Sequence, residues 1–441
     1  MQTLQIKLVC FVALGFALLS ASGCGALWTS SKSQARALPA AAPLPSDAEA
    51  SEMSIRFLEH RVKGDPDDFI AYNKLVGYYL QRLRETGDLN YLNLASRGAH
   101  ASLKAIPAEQ NLGGLNLLGQ VEYASHNFAA TRDHALRLKE LAPNQSYPYQ
   151  LLGDALLELG DYDQAEAAYR QMERRGSGLT TETRLAHLAR LRGKLDLAEQ
   201  HATDALGFAL QAVPQSRETV AWCRWQLGEL AFARGDYETA ERHYRDSLIT
   251  FPNYFRALAS LGRVRAARSD LAGAIERYES AVRIIPEPTF VAALGDLYQL
   301  AGRATDAAAQ YALCEQIGRL STLNGTLYNR QLALFYADHD LKPEEAYTQA
   351  AKEYEVRRDI YGADAVAWAA LKSGRTAEAQ AAIKEALRLG TQDALLFYHA
   401  GMIARVAGER ATAHEYLKRA LTLNPQFDPR QAPLAQRALA E

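Results

Sequence analysis

The strongest constraint on this chain is a pattern that returns at a spacing of about thirty-four residues. Its clearest copies run from Trp222 to Pro252 and from Arg256 to Pro286. In the first, Leu227-Gly228, Gly235, Ala240, Tyr244 and Pro252 hold the marked places; in the second, Leu261-Gly262, Ala274, Tyr278, Ala281 and Pro286 hold them. A unit this short cannot bury its apolar face alone. Copies must stack on one another, and the fold grows along one dimension instead of closing into separate domains.

Each marked residue type has a physical reason. Two antiparallel helices approach closely only where the facing side chains are small, so Gly and Ala mark the crossings while Tyr and Leu fill the space between. The Gly between the helices ends the first in a backbone conformation that other residues resist. Asp161, Asp236 and Glu409 follow it near the start of the second helix, where negative charge is favoured. The closing Pro stops that helix.

Further copies share these landmarks: Leu118-Gly119 with Pro143, Leu152-Gly153 with Gly160, Ala165 and Tyr169, and Leu294-Gly295 with Tyr298, Gly302, Ala307 and Tyr311. Weaker ones centre on Ala186, Ala333, Ala367 and Gly401, and Gly77 with Pro107 fits a copy lengthened in its middle. The pattern resembles the tetratricopeptide repeat. The resemblance implies an all-α, right-handed superhelical solenoid of about ten helix-turn-helix repeats over residues 67–426. Residues 48–66, with Ile55, Phe57, Leu58 and Val62, read as an N-terminal capping helix, and residues 427–441 as a C-terminal tail or cap. Extra residues at Gly207 to Ser216 and Asp338 to Pro343 lengthen two copies.

The front of the chain reads as an address. Lys7, the apolar run Leu8 to Leu19 and the small residues that follow have the layout of a secretory signal over residues 1–23. Gly23-Cys24 resembles a bacterial lipobox, which implies cleavage before Cys24 and its acylation; Ala21 departs from the Leu that this motif prefers. Ordinary signal cleavage, leaving Cys24 a free thiol, is the alternative. Residues 24–47, rich in Ala, Pro and Ser, read as a flexible tether. The implied location is across the inner membrane, lipid-anchored in the periplasm or at an outer membrane.

A formal charge of −2 leaves no basic field for nucleic acid. No phosphate loop, dinucleotide fingerprint, nucleophile elbow or H-E-x-x-H motif occurs. Cys223 and Cys314 are expected to be free, buried thiols. The cluster Asp338-His339-Asp340 with Glu344 and Glu345 could hold a cation, but an acidic loop entering a helix has the same letters. We therefore expect no catalytic residues, no metal, no cofactor and no small-molecule substrate.

By the family resemblance, the first helix of each repeat lines the inner face. Counted from the Leu-Gly landmark, that face carries Asn116, Gln120, Gln150, Asp154, Trp225, Glu229, Arg263, Asp296, Arg330 and Asp364. Such a mixed polar groove suits a partner's extended peptide or helix. The expected function is a non-enzymatic scaffold or adaptor in the bacterial cell envelope. Two alternatives stay open: a recruiting subunit of an envelope enzyme complex, and a self-assembling structural protein. The repeats run almost to Glu441, which leaves little room for a catalytic domain.

Overall fold

A computed structural model of the protein describes residues 47–213, 215–323 and 329–441. The expected signal, lipobox and all of the tether but its last residue fall on residues 1–46, outside the described residues. Among the described residues every regular element is an α-helix. Residues 48–441 form one compact unit.

The first helix, α1 (Asp47–Gly64), stands before ten hairpins. These pair α2 (Phe69–Thr86) with α3 (Leu89–Ala105), α4 (Leu112–Ala124) with α5 (Phe128–Leu141), and α6 (Tyr147–Glu158) with α7 (Tyr162–Glu173). Next come α8 (Leu179–Leu191) with α9 (Leu195–Gln211), α10 (Arg217–Ala233) with α11 (Tyr237–Thr250), and α12 (Phe255–Ala267) with α13 (Leu271–Ile284). Then α14 (Pro288–Leu300) pairs with α15 (Ala304–Leu323), and α16 (Asn329–Asp338) with α17 (Pro343–Val356). The last two pairs are α18 (Ile360–Lys372) with α19 (Thr376–Ala386) and α20 (Ala394–Val406) with α21 (Arg410–Leu423). A final helix, α22 (Gln431–Ala440), packs on α20 and α21 and buries Ala432 and Ala435. The described chain is a helix-turn-helix solenoid.

The hairpin turns follow from the glycines the sequence marks. At Gly160 the backbone turns left-handed with φ 84°. Gly160 N–H then donates to Leu157 O, and Asp161 N–H donates to Leu156 O at 2.8 Å. This closure satisfies the last carbonyls of α6 and starts α7 at once. The same pair of bonds recurs at Gly193, Gly235, Gly302, Gly374 and Gly408. Asp236 then caps α11 by accepting the Thr239 N–H at 3.1 Å.

The crossings are as tight as their residue types imply. Ala240, Ala274 and Tyr244 are wholly buried. A methyl group on Gly228 would stand 2.3 Å from the Tyr244 ring, and one on Gly262 would stand 2.5 Å from the Tyr278 ring. Only a missing side chain lets these rings lie flat on the first helix.

Of three further details, two differ from expectation. Phe57 is 65 % exposed while Ile55 and Leu58 of the same helix are buried, because α1 turns only one stripe toward α2. The extra residues before α10 extend α9 to 17 residues, in line with the lengthened copy. The lengthening expected at Asp338 to Pro343 sits instead mainly in α15, which reaches 20 residues, while the turn after α16 stays short.

The solenoid also touches itself. Residues roughly two hundred positions apart meet: Arg388 Nη2 donates to Gly160 O at 2.9 Å, and Asn424 Nδ2 donates to Phe232 O at 2.7 Å. A side chain on Gly160 would stand 2.2 Å from Arg358 O, and one on Gly193 would stand 2.3 Å from Gly390 O. These two turn glycines thus serve twice, for the left-handed turn and for the close approach of a later repeat.

Candidate protein-binding groove

The residue after each Leu-Gly landmark sits on the first helix of its hairpin, one position past the tight crossing. In three repeats it is acidic, and the Tyr of the second helix bonds to it. Tyr169 donates to Asp154 at 2.8 Å, Tyr244 to Glu229 at 2.6 Å and Tyr311 to Asp296 at 2.8 Å. The spacing from acid to Tyr is fifteen residues each time. Gly, acid and Tyr therefore form one device: the missing side chain admits the ring, and the acid satisfies its buried hydroxyl.

The acids also meet a base from a later repeat. Arg184 grips Asp154 with two nitrogens, at 3.0 and 2.7 Å. Arg263 reaches Glu229 at 2.5 Å, and Ser260 donates to the same oxygen at 2.8 Å. Asp296 accepts from Arg430 at 2.8 Å and pairs with His339 at 2.7 Å. Burial alone would raise the Glu229 pKa, yet Arg263, with hydrogen bonds from Tyr244 and Ser260, brings it below the usual carboxylate value.

The ten expected groove residues divide accordingly. Asn116, Gln120 and Gln150 are half-buried on α4 and α6. Asp154, Glu229, Arg263 and Asp296 are half-buried and joined into the pairs above, and Trp225 is half-buried on α10. Arg330 and Asp364 are buried at 7 % and 4 % exposure. Arg330 bonds Asp359 at 2.8 Å, and Asp364 bonds His399 at 2.9 Å, so these two brace the array and do not line an open groove. Position in the repeat predicted their helix face. It did not predict that a later repeat covers them.

Space remains beside α10. A cavity of about 220 Å³ is bounded by Trp225 and Glu229 of α10, Arg256, Ser260 and Arg263 of α12, and Phe290 of α14, among others. The Trp225 indole donates to Ser260 Oγ at 2.9 Å, which holds the ring as one wall. A smaller recess of about 30 Å³ lies against the same helix, lined by His187, Arg190, Trp222 and Gln226. Positions 222, 225, 226 and 229 fall on one helical stripe, so one face of α10 serves both. Arg190, Arg256 and Trp222 are not among the ten expected groove residues. Their signal was the landmark spacing: Arg256 lies in the same turn of its helix as Ser260, the residue that meets Trp225.

Residues 226–288 and, separately, 147–172 match the tetratricopeptide repeat. The chain carries tetratricopeptide repeats. The matched stretches contain the Gly228-Tyr244, Gly262-Tyr278 and Gly153-Tyr169 crossings, so the repeat's signature and its packing coincide. No curated protein matches the sequence. Among solved structures, MamA is 20 % identical with a TM-score of 0.31, covering 39 % of this chain and 96 % of that one. BtubC from P. vanneervenii is 21 % identical with a TM-score of 0.37, covering 46 % and 92 %. PilW, described as a widely conserved type IV pilus biogenesis factor, is 13 % identical with a TM-score of 0.40, covering 46 % and 91 %. Likeness at this level says nothing of partners.

The tetratricopeptide repeats disperse the groups that might have formed another site. Asp338 accepts from Trp368 and Gln431, His339 faces Asp296, Asp340 pairs with Lys372, and Glu344 pairs with Arg375. The acidic cluster seen in the sequence is thus split among five different neighbours. Cys223 and Cys314 are free and buried, and burial pushes both thiols up to about 12. Such thiols are inert as nucleophiles. Glu182, His201 and Asp204 place three ligand atoms within 4.8 Å of one another, and His201 Nδ1 is already hydrogen-bonded to Glu182 at 2.7 Å. No helix among the described residues is long and apolar enough to cross a membrane.

Proposed function

We propose that this protein is a non-enzymatic scaffold of the bacterial cell envelope that holds a protein partner on the inner face of its repeat array. The observation that carries this reading is the cavity beside α10: a half-buried Trp225, fixed by its bond to Ser260, stands next to Arg256 and Arg263. Aromatic and Arg side chains held rigid in a concave site are the usual anchors of protein recognition. A repeat array without a second compact domain among its described residues supports a holding role over a chemical one.

The envelope location rests on the leading segment. Its signal-like layout and Gly23-Cys24 support export and a lipid anchor at Cys24, with residues 24–47 as the tether. The test is affinity capture from membranes of the native host, using a C-terminally tagged chain beside its Cys24→Ser and Trp225→Ala forms. Membrane retention lost on Cys24→Ser, with one reproducible partner weakened by Trp225→Ala, is the expected result. A soluble wild type, or a partner indifferent to Trp225, would overturn the anchor or the groove respectively.

A further inference from the structure

The array pairs its arginines closely, and two guanidinium groups beside α10 stand outside that pairing. Arg184, Arg263, Arg330, Arg357 and Arg430 each engage a carboxylate. Arg190 and Arg256 form no ion pair among the described residues. Arg256 lies instead over the rings of Trp225 and Phe255, at 5.6 and 5.0 Å from their centroids. Arg190 stands in the recess lined by Trp222 and Gln226, and its charge is favoured chiefly by Tyr361 of α18.

The carboxylates nearby are already engaged. Glu229 is held by Arg263, Tyr244 and Ser260. Asp393 accepts the N–H of Leu395 at 2.9 Å, Glu287 accepts the Thr289 hydroxyl at 3.1 Å, and Glu218 lies 3.9 Å from Arg84. Two buried polar atoms there lack a hydrogen-bond partner: Arg263 Nε, which only donates, and Tyr361 Oη, which can donate or accept. Arg263 Nε is thus a buried donor without an acceptor, which is costly, and Arg190 and Arg256 have no carboxylate of their own. The missing component is an acceptor that carries negative charge.

We propose that this face of α10 receives an extended, acidic segment of a partner protein, with carboxylates meeting Arg190 and Arg256 and apolar side chains lying on Trp222 and Trp225. The proposal deepens the scaffold reading and rests on it for the partner being a protein. Charge complementarity selects the acid, since guanidinium groups bind carboxylates through parallel N–H bonds. The two indoles select a peptide over a small anion, because a lone ion would leave the Trp222 and Trp225 surfaces uncovered. His187 is exposed at the rim of the same recess, beside Arg190.

The experiment uses the exported chain without its first twenty-three residues and three short fluorescein-labelled peptides that alternate Glu, Gln or Lys with Leu. Anisotropy should show binding of the Glu peptide, weakened about tenfold or more by Arg190→Gln or Arg256→Gln and weakened by added salt. Quenching of the indole fluorescence should accompany it. Arg256→Lys should recover part of the loss, and circular dichroism of each variant checks that the array is intact. Equal binding of the Lys peptide, or no change in either Gln variant, would sink the proposal. Displacement of the Glu peptide by inorganic phosphate at equal concentration would replace the peptide with a small anion. If host capture yields a partner that both Arg variants retain, the scaffold stands and this inference falls; if the Glu peptide binds as described but the host yields no partner, the inference stands without the scaffold.

Discussion

The hydroxyl of Tyr162 accepts the backbone N–H of Ile360 at 2.8 Å, although the two residues lie 198 positions apart. Each opens a helix, α7 and α18, and each is buried. The N–H groups of a helix start have no intrahelical acceptor, so Tyr162 supplies one from a distant repeat. Repeat arrays in which each unit touches only its neighbours unfold piecemeal. Here the distant bonds tie early repeats to late ones. Tyr162→Phe should cost about 1–3 kcal/mol, because the Ile360 N–H stays buried without a partner. Urea denaturation followed by circular dichroism checks this, and it should show one shared transition for the wild type and a broadened or split one for the variant.

Next to that bond, Arg357 donates to Glu158 at 2.7 Å and pairs with Asp359 at 2.9 Å, while Arg330 holds Asp359 and Glu353. Burial pushes the pKa of Glu158 up, and Arg357 is the main force against that rise. Arg357→Gln would leave three carboxylates with one guanidinium, and the expected loss is about 3–5 kcal/mol. Small-angle scattering should show an expanded particle as the seam opens. Adding Glu158→Gln removes the stranded charge and should restore much of the stability, a coupling that a double-mutant cycle measures.

The repeats were legible because their determinants are local. Gly153, Gly228 and Gly262 face Tyr169, Tyr244 and Tyr278 within one hairpin, so a spacing in the sequence is a contact in space. The pairs Glu229-Arg263 and Asp364-His399 were half legible, since like positions in successive repeats are neighbours and opposite signs there will meet. The contacts Glu158-Arg357 and Tyr162-Ile360 were not. They depend on the small rotation between repeats summed over several units, and no residue pattern records that sum. The burial of Arg330 is more local: Glu353 of its own hairpin and Asp359 at the start of the next hold it.

Acid and alkali should act on the C-terminal helix through Asp428. Burial, with Asp338 and Asp296 nearby, raises its pKa to about 6, while the N–H groups of Gln431 and Arg430 pull the other way. An acid held above its unfolded value of 3.8 binds its proton more firmly in the folded chain. Its contribution is therefore complete below about 3.8 and is lost as the pH rises through about 6. Asp428→Asn keeps the oxygen that accepts from Arg430 and Gln431 and removes the charge. The variant should be more stable than wild type above that pH by on the order of 1–3 kcal/mol, with the two curves converging in acid. Melting temperatures across that range check the sign, and a gain that persists below pH 3.8 would contradict it.

Two glycines separate the causes of the family pattern. Gly228 has ordinary helical backbone, but a methyl group there meets the Tyr244 ring at 2.3 Å; Gly302 has φ 75° and open space around it. Gly302→Ala should cost only the left-handed backbone penalty, about 1–2 kcal/mol, and should add independently to changes elsewhere. Gly228→Ala forces Tyr244 off the helix and breaks its bond to Glu229, so about 1–3 kcal/mol of overpacking is joined by an orphaned buried hydroxyl. Shrinking the ring with Tyr244→Val should therefore rescue Gly228→Ala in part and leave Gly302→Ala unchanged. Coupling of Tyr244 to Gly228 alone would show that crossing glycines are kept for space and turn glycines for backbone, whereas equal coupling to both would undo that division.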